Sequence, residues 1–394
     1  MKTKLVIFGI TGDLSRRKLL PALGSILARH DQLSIIGVSR REVDVPELLK
    51  GSMGNDSFAS RVSVFTMDLV AASDYVGLKA FVDLQQDEQV LIYLSVPPSA
   101  AADIVDFLGQ AGLNSPNVKL LFEKPFGFDL ASAQDYIGRT SRYFEEAQIY
   151  RIDHYAAKEI AQEVMRLRTQ PGLPWNAETV TSIDVVASEA IGIEERATFY
   201  EETGALRDFI QGHLMQLLAL VLMPIPEDFS GEDFANYRLQ ALDALEPANP
   251  LETVRAQYDG YQAEAKNIGS LTETFVSMSL HSNNVQWQGV PMRLMTGKSL
   301  NEKRSYIKIS YQDGNQTILE EGKVPAGEVM YSDAYERVLV QAIDGNKSIF
   351  TTSPELLRSW QIVKPVQDSW NMDNTPLQLY TPGVTIDEVI ENSL

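Results

Sequence analysis

Short apolar runs alternate with longer mixed stretches through the first 150 residues. Residues 4–8 (Lys4-Leu5-Val6-Ile7-Phe8) stop at Gly9, and further apolar runs follow at 33–38, 62–65, 90–96 and 118–122. Continuous apolar runs of this length, bounded by turn residues, are how strands buried on both faces read in a sequence. The segments between them are long enough for helices, as at 100–108 and around Leu19, Leu20, Leu23 and Leu27. The alternation predicts a doubly wound parallel sheet, with 149–152 as its last strand. Beyond it the rhythm changes. Residues 180–187, 271–280, 292–296 and 306–311 read as strands, with a helix around residue 213 among them.

Length and charge narrow the picture. A chain of 394 residues is long for one domain and predicts two full cores. Apolar residues make up 44%, yet no apolar run reaches the roughly 18 residues of a membrane span. The start, Met1-Lys2-Thr3-Lys4 running into a strand, does not read as a signal peptide, and a cytoplasmic protein is expected. Cysteine is absent, which excludes disulfides and thiol chemistry. The four histidines His30, His154, His213 and His281 show no metal-ligand spacing, and no metal is expected. A net charge of −19 argues against nucleic acid and anionic membranes, because both need a positive surface. An anionic small molecule would need a local basic pocket.

Gly9-Ile10-Thr11-Gly12-Asp13-Leu14-Ser15 joins the first strand to the first helix. A strand, a glycine turn and a helix N-terminus together cradle the pyrophosphate of a dinucleotide. The spacing is loose, since Gly12 follows Gly9 by three residues and Ser15 stands where a third glycine would be. By itself the motif fits a structural turn equally well; the surrounding alternation favours the cradle. The second strand ends in Arg40-Arg41. Arginine there accommodates a 2′-phosphate, which favours NADP, whereas an acid would bind the ribose of NAD. A solvated arginine pair is the alternative, and Glu42 keeps NAD open as a weaker cofactor. Pro97-Pro98 and Glu123-Lys124-Pro125-Phe126-Gly127 follow strands four and five, at the sheet edge where ligands bind.

The richest stretch is Arg151-Ile152-Asp153-His154-Tyr155-Ala156-Ala157-Lys158-Glu159. A helix starting near His154 would put His154 and Lys158 on one face as a cationic clamp. Asp153 would be turned away by about 100°. A solvated amphipathic helix, with Ile160, Val164 and Leu167 as its apolar stripe, is compatible with this. His213 shares a helical face with Phe209, Ile210 and Leu217, so it reads as a core histidine or, if the chain oxidises an alcohol, as the base that step needs.

With these segments in view, the chain resembles the glucose-6-phosphate dehydrogenase family. The resemblance rests on 9–14, 123–127, 151–159 and 204–216, and on Ser270-Leu271-Thr272-Glu273-Thr274-Phe275, Trp287-Gln288-Gly289-Val290-Pro291, Gly297-Lys298-Ser299-Leu300-Asn301-Glu302-Lys303 and Asp333-Ala334-Tyr335-Glu336-Arg337. It implies an α/β fold: a Rossmann-like domain over 1–153, then an α+β substrate and dimerisation domain over 154–394 with a large, mostly antiparallel sheet. It implies oxidation of glucose 6-phosphate at C1 to 6-phosphogluconolactone with NADP, the first step of the oxidative pentose phosphate pathway. His213 becomes the base and Asp153 its orienting partner. His154, Tyr155 and Lys158 become phosphate ligands, and Lys124 lies beside both sugar and cofactor. Glu189, Asp208, Lys298 and Lys303 are implied to meet the substrate. Gly9, Thr11, Gly12, Asp13, Leu14, Ser15, Arg40 and Lys124 are expected to meet the cofactor. A homodimer or homotetramer is implied.

The chain departs from the family in two places. It is about a hundred residues shorter than typical members, and the gap between Tyr311 and Asp333 looks too short for a strand that carries an isoleucine/arginine/glutamine/proline motif. Gly212 stands in place of an asparagine before the expected base. Two other functions fit parts of the sequence. A sugar dehydrogenase of the glucose-fructose oxidoreductase type would share the Rossmann start but not the phosphate clamp. A non-catalytic NADP-binding regulator would need neither Asp153, His213 nor Lys124.

Overall fold

The computed structural model describes residues 1–50, 56–168, 175–225, 233–323 and 333–393. Its contacts divide the chain into two units. One comprises Met1–Gly127, Ala131–Ala157 and Glu328–Ser353; the other comprises Phe128–Leu130, Lys158–Gly327 and Pro354–Leu394. The division expected at 153/154 thus meets a break at 157/158, and a late segment returns to the first unit.

In the first unit β1 (Lys2–Phe8), β2 (Leu33–Ser39), β3 (Val62–Thr66), β4 (Glu88–Leu94), β5 (Val118–Phe122) and β6 (Ile149–Ile152) lie parallel, in the order β6-β5-β4-β1-β2-β3. All seven residues of β4 are buried; Glu88 pairs with Lys4 and Gln89 donates to Thr3, and Val90–Leu94 read as an unbroken apolar run. It ends at Leu94, two residues before the expected limit. Phe8 pairs with Val38 on one side and Leu94 on the other. The strand order therefore reverses between β1 and β4, and Gly9 leaves the sheet at that switch point, where such sheets open a ligand crevice.

A seventh strand, Phe350–Thr351, runs antiparallel against β6. The helix before it, Ala334–Asp344, is capped by the Asp333 carboxylate accepting from the Tyr335 N–H at 2.7 Å, and Gly345 closes it in the left-handed region. Val338, Leu339, Val340 and Ala342 join Leu5, Ile7, Leu23 and Ile35 in one core. Each of the valines, leucines and isoleucines among them contributes about 1.5–3 kcal/mol over its exposed state.

The second unit is built on β7 (Val180–Ser188), β8 (Thr253–Tyr258), β9 (Phe275–Leu280), β10 (Met292–Gly297), β11 (Arg304–Tyr311), β12 (Gln316–Glu320) and β14 (Gln378–Tyr380), the Phe350–Thr351 strand being β13. The order is β12-β11-β7-β10-β9-β8-β14. Only β7 with β10 and β8 with β14 pair in parallel, so the sheet is mostly antiparallel. Residues 271–274 precede β9 rather than belonging to it. The gap after Tyr311 does hold a strand, the edge strand β12, whose sequence Gln-Thr-Ile-Leu-Glu carries no isoleucine/arginine/glutamine/proline motif. Met215–Leu222, the helix that follows His213, is buried at all eight positions. Among the described residues no helix is long and apolar enough to cross a membrane.

Candidate active site

The glycine turn of the first unit is a close-packed backbone. Gly9 has φ +78°, and a Cβ on it would lie 2.2 Å from the Ser95 carbonyl oxygen, so only glycine fits. The Gly12 N–H donates to Gly9 O at 2.9 Å, and the Arg16 N–H to Gly12 O at 3.0 Å as the helix begins. Ser15 is fully buried and gives its hydroxyl to Gly9 O at 2.9 Å. Its place is therefore inside the turn, bracing it. Leu14 packs on the core, while Asp13 is exposed and paired with Arg17 at 2.7 Å. A π-helical turn, Ser15–Leu19, leads into the helix Leu20–Leu27.

Beside this turn lies a cavity of about 460 Å³, lined by Thr11, Arg16, Ser39, Arg41, Glu42, Val43, Asp44, Glu47 and Leu48. Arg41 and Arg16 line it and Arg40, named from the sequence, does not, though all three are exposed. Asp44 is occupied in capping a short helix by accepting from the Glu47 N–H, and Glu47 pairs with Lys50 at 3.3 Å. A glycine-only backbone beside a cavity holding two guanidinium groups suits a dinucleotide's phosphates. Arg16 was missed because nothing in the sequence says which of Arg16, Arg17 and Lys18 turns toward the cavity.

At the end of β5 the Tyr93 hydroxyl donates a short hydrogen bond to the Glu123 carboxylate. That carboxyl lies inward, and desolvation by burial pushes it up to about 7, against the Tyr93 hydrogen bond; the charge of Asp153 adds to the rise and Lys124 opposes it. The segment after β6 departs from expectation. The helix starts at Glu159, not near His154, and 154–157 form turns. The cause is Asp153, which is buried and accepts from the Tyr155 N–H at 2.9 Å, an Asx turn that competes with helix formation. His154 and Lys158 are therefore not successive positions on a helix face. The His154 ring lies nearly parallel to Tyr335, centroids 6.3 Å apart, with Tyr155 edge-on at 5.1 Å. Arg151, fully buried, is an anchor: it donates to Glu146 at 2.8 Å and to Ser353 Oγ at 2.7 Å.

In the second unit the backbone kinks at Gly204 (φ 59°), and the Leu206 N–H donates to the buried Glu273 carboxylate at 2.8 Å. Leu206–Leu214 follows as a π-helical stretch, a local form frequent at functional sites. His213 lies on it, buried, with Phe209 edge-on at 5.7 Å. The buried Tyr200 links several expected substrate ligands. Its phenol is held well above its usual range by burial and then by the charges of Asp208, Glu273, Tyr380 and Glu189. Lys298, buried, pairs closely with Glu189 and lies over the Tyr200 ring at 5.1 Å. Lys303 is exposed, directly ahead of β11. At the start of the helix Glu159–Arg168, Lys158 forms an ion pair of 2.8 Å with Glu321.

Both units match one family. The family model "Glucose-6-phosphate dehydrogenase, NAD binding domain" matches residues 6–163, and "Glucose-6-phosphate dehydrogenase, C-terminal domain" matches 172–330 and 325–392. The chain belongs to the glucose-6-phosphate dehydrogenase family. The glucose-6-phosphate 1-dehydrogenase of Rhizobium meliloti is 31% identical over 461 residues, covering 96% of this chain and 93% of the relative. Because that stretch is longer than the 394 residues here, the relative holds segments this chain lacks. Among solved structures, the glucose-6-phosphate 1-dehydrogenase of Mycobacterium avium has TM-score 0.85 and 30% identity, covering 98% of this chain and 95% of that one. A glucose-6-phosphate dehydrogenase in complex with its substrate glucose 6-phosphate has TM-score 0.90 and 26% identity, covering 100% and 97%. The first unit thus carries the dinucleotide-binding domain of an oxidoreductase family.

Proposed function

We propose that this protein oxidises glucose 6-phosphate at C1 to 6-phosphogluconolactone and delivers the hydride to NADP, with NAD a weaker acceptor. The observation that carries the reading is the family match along both units, 6–163 and 172–392. A nicotinamide dinucleotide held on the Gly9–Ser15 turn supplies the hydride acceptor, with Thr11, Gly12, Asp13, Leu14 and Lys124 in the binding set. The guanidinium groups at the 460 Å³ cavity support the preference for a 2′-phosphate, with Arg41 and Arg16 in the role first given to Arg40.

In this reading His213 takes the proton of the C1 hydroxyl, and Asp153 orients it and stabilises the imidazolium. His213 is buried on the π-helical stretch, with the Phe209 ring edge-on beside it, which fixes the imidazole in place. Lys158, His154 and Tyr155 hold the phosphate. Glu189, Asp208, Lys298 and Lys303 hold the sugar hydroxyls. Use in the oxidative pentose phosphate pathway, a cytoplasmic location and a homodimer or homotetramer built on the second sheet belong to the same proposal.

The test is the rate of NADPH absorbance with purified protein, comparing glucose 6-phosphate with glucose and NADP with NAD. Turnover that needs the sugar phosphate and runs faster with NADP than with NAD is expected. Absence of glucose 6-phosphate turnover with either cofactor would overturn the proposal, and equal turnover of glucose would favour a general sugar dehydrogenase.

A further inference from the structure

Glu321 follows the edge strand β12 directly and is fixed in a turn. Its N–H donates to Ser305 O at 3.0 Å, the Lys323 N–H closes back onto Glu320 O at 3.1 Å, and Gly322 between them is left-handed (φ 77°). The helix Glu159–Arg168 lies against β12, which brings its first turn toward this carboxylate. There Lys158, with 17% of its side chain exposed, pairs with Glu321 Oε2 at 2.8 Å. A carboxylate at that distance gives the ammonium an anionic oxygen acceptor, the same kind of partner a phosphoryl oxygen would be. An incoming phosphate would have to share or displace it.

We propose that Glu321 is an internal competitor for the anion site, setting how tightly a sugar phosphate is held by Lys158. The inference rests on the reading of Lys158 as a phosphate ligand. Neutralising Glu321 removes the competition without touching the ammonium, so affinity for phosphorylated ligands rises. An ion pair this accessible is weak, so the gain is roughly two- to fivefold.

The experiment measures, in the full chain at one ionic strength and saturating NADP, the KM for glucose 6-phosphate and the competitive inhibition constant of inorganic phosphate. Wild type is compared with Glu321→Gln, Glu321→Ser, Lys158→Ala and Lys158→Ala/Glu321→Gln. Both Glu321 variants are expected to lower both constants, with the change in KM and not in kcat. Lys158→Ala should raise both, and adding Glu321→Gln to it should restore nothing. A carboxylate that merely supports the turn or holds Lys158 in place would instead give unchanged or raised constants in the Glu321 variants, which overturns the inference. If Lys158→Ala leaves both constants unchanged, the phosphate role of Lys158 fails and the inference with it. If Lys158→Ala raises them and the Glu321 variants do not lower them, the competitor role alone fails.

Discussion

The hydroxyl of Ser15 reaches back across the first turn to the carbonyl oxygen of Gly9, 2.9 Å away. A serine in place of a third glycine therefore braces the turn from inside. Ser15→Ala should lose about 0.5–1.5 kcal/mol of stability, the net worth of one hydrogen bond, measured by urea denaturation. Gly9→Ala should be far worse. Its Cβ would lie 2.2 Å from Ser95 O in a backbone that side chains rarely adopt, so loss of dinucleotide binding or of folding is expected.

On the proposed reading, the two guanidinium groups at the cavity beside the glycine turn predict a cofactor-specific effect. Arg41→Ala should raise the KM for NADP by about tenfold, the worth of one charge-assisted hydrogen bond, and leave the KM for NAD little changed. Steady-state kinetics with both cofactors decides it. Arg40→Ala, at the neighbour that does not line the cavity, should do much less.

Glu123 predicts a pH-dependent stability. Burial raises its pKa in the folded protein to about 7 from 4.5. The folded state therefore binds a proton that the unfolded chain has already lost between those values. Its contribution is complete below about pH 4.5 and is lost as pH rises through about 7. Glu123→Gln keeps an acceptor for Tyr93 but cannot ionise. The Tm of this variant relative to wild type should rise between pH 5 and pH 8; a constant difference would contradict the assignment.

Much of this was legible in the sequence for a physical reason. Strands buried on both faces are apolar along most of their length, so the apolar stretches of β1, β2, β4 and β5 announce them, and the glycine turn falls where β1 ends. Other features left no such mark. In β12 only Leu319 is buried, so no alternation advertises the strand. The two-residue Phe350–Thr351 strand is defined by its partner β6, nearly 200 residues earlier. The π-helical stretch around His213 changes which carbonyl each N–H meets without changing composition. The helix expected at His154 failed because one side chain, Asp153, captured the Tyr155 N–H first. The residue types of the site were readable; which of them pair with each other, as Lys298 does with Glu189, was not.

That last pair gives its own prediction. Lys298 is almost entirely buried, so removing its counter-charge leaves a stranded ammonium. Glu189→Ala should cost about 3 kcal/mol in substrate-free denaturation, the low end for breaking a buried pair. Glu189→Ala/Lys298→Met should recover most of that loss, because neither charge then remains.

The central claim is that His213 is the base of an alcohol oxidation, and the most direct measurement is the kcat of His213→Asn with glucose 6-phosphate and NADP, together with substrate affinity by calorimetry. Loss of a general base predicts a fall in kcat of about a hundred- to ten-thousandfold, with the dissociation constant for glucose 6-phosphate nearly unchanged. A variant that keeps most of its kcat, or one that loses activity only because it no longer binds substrate, would contradict the account.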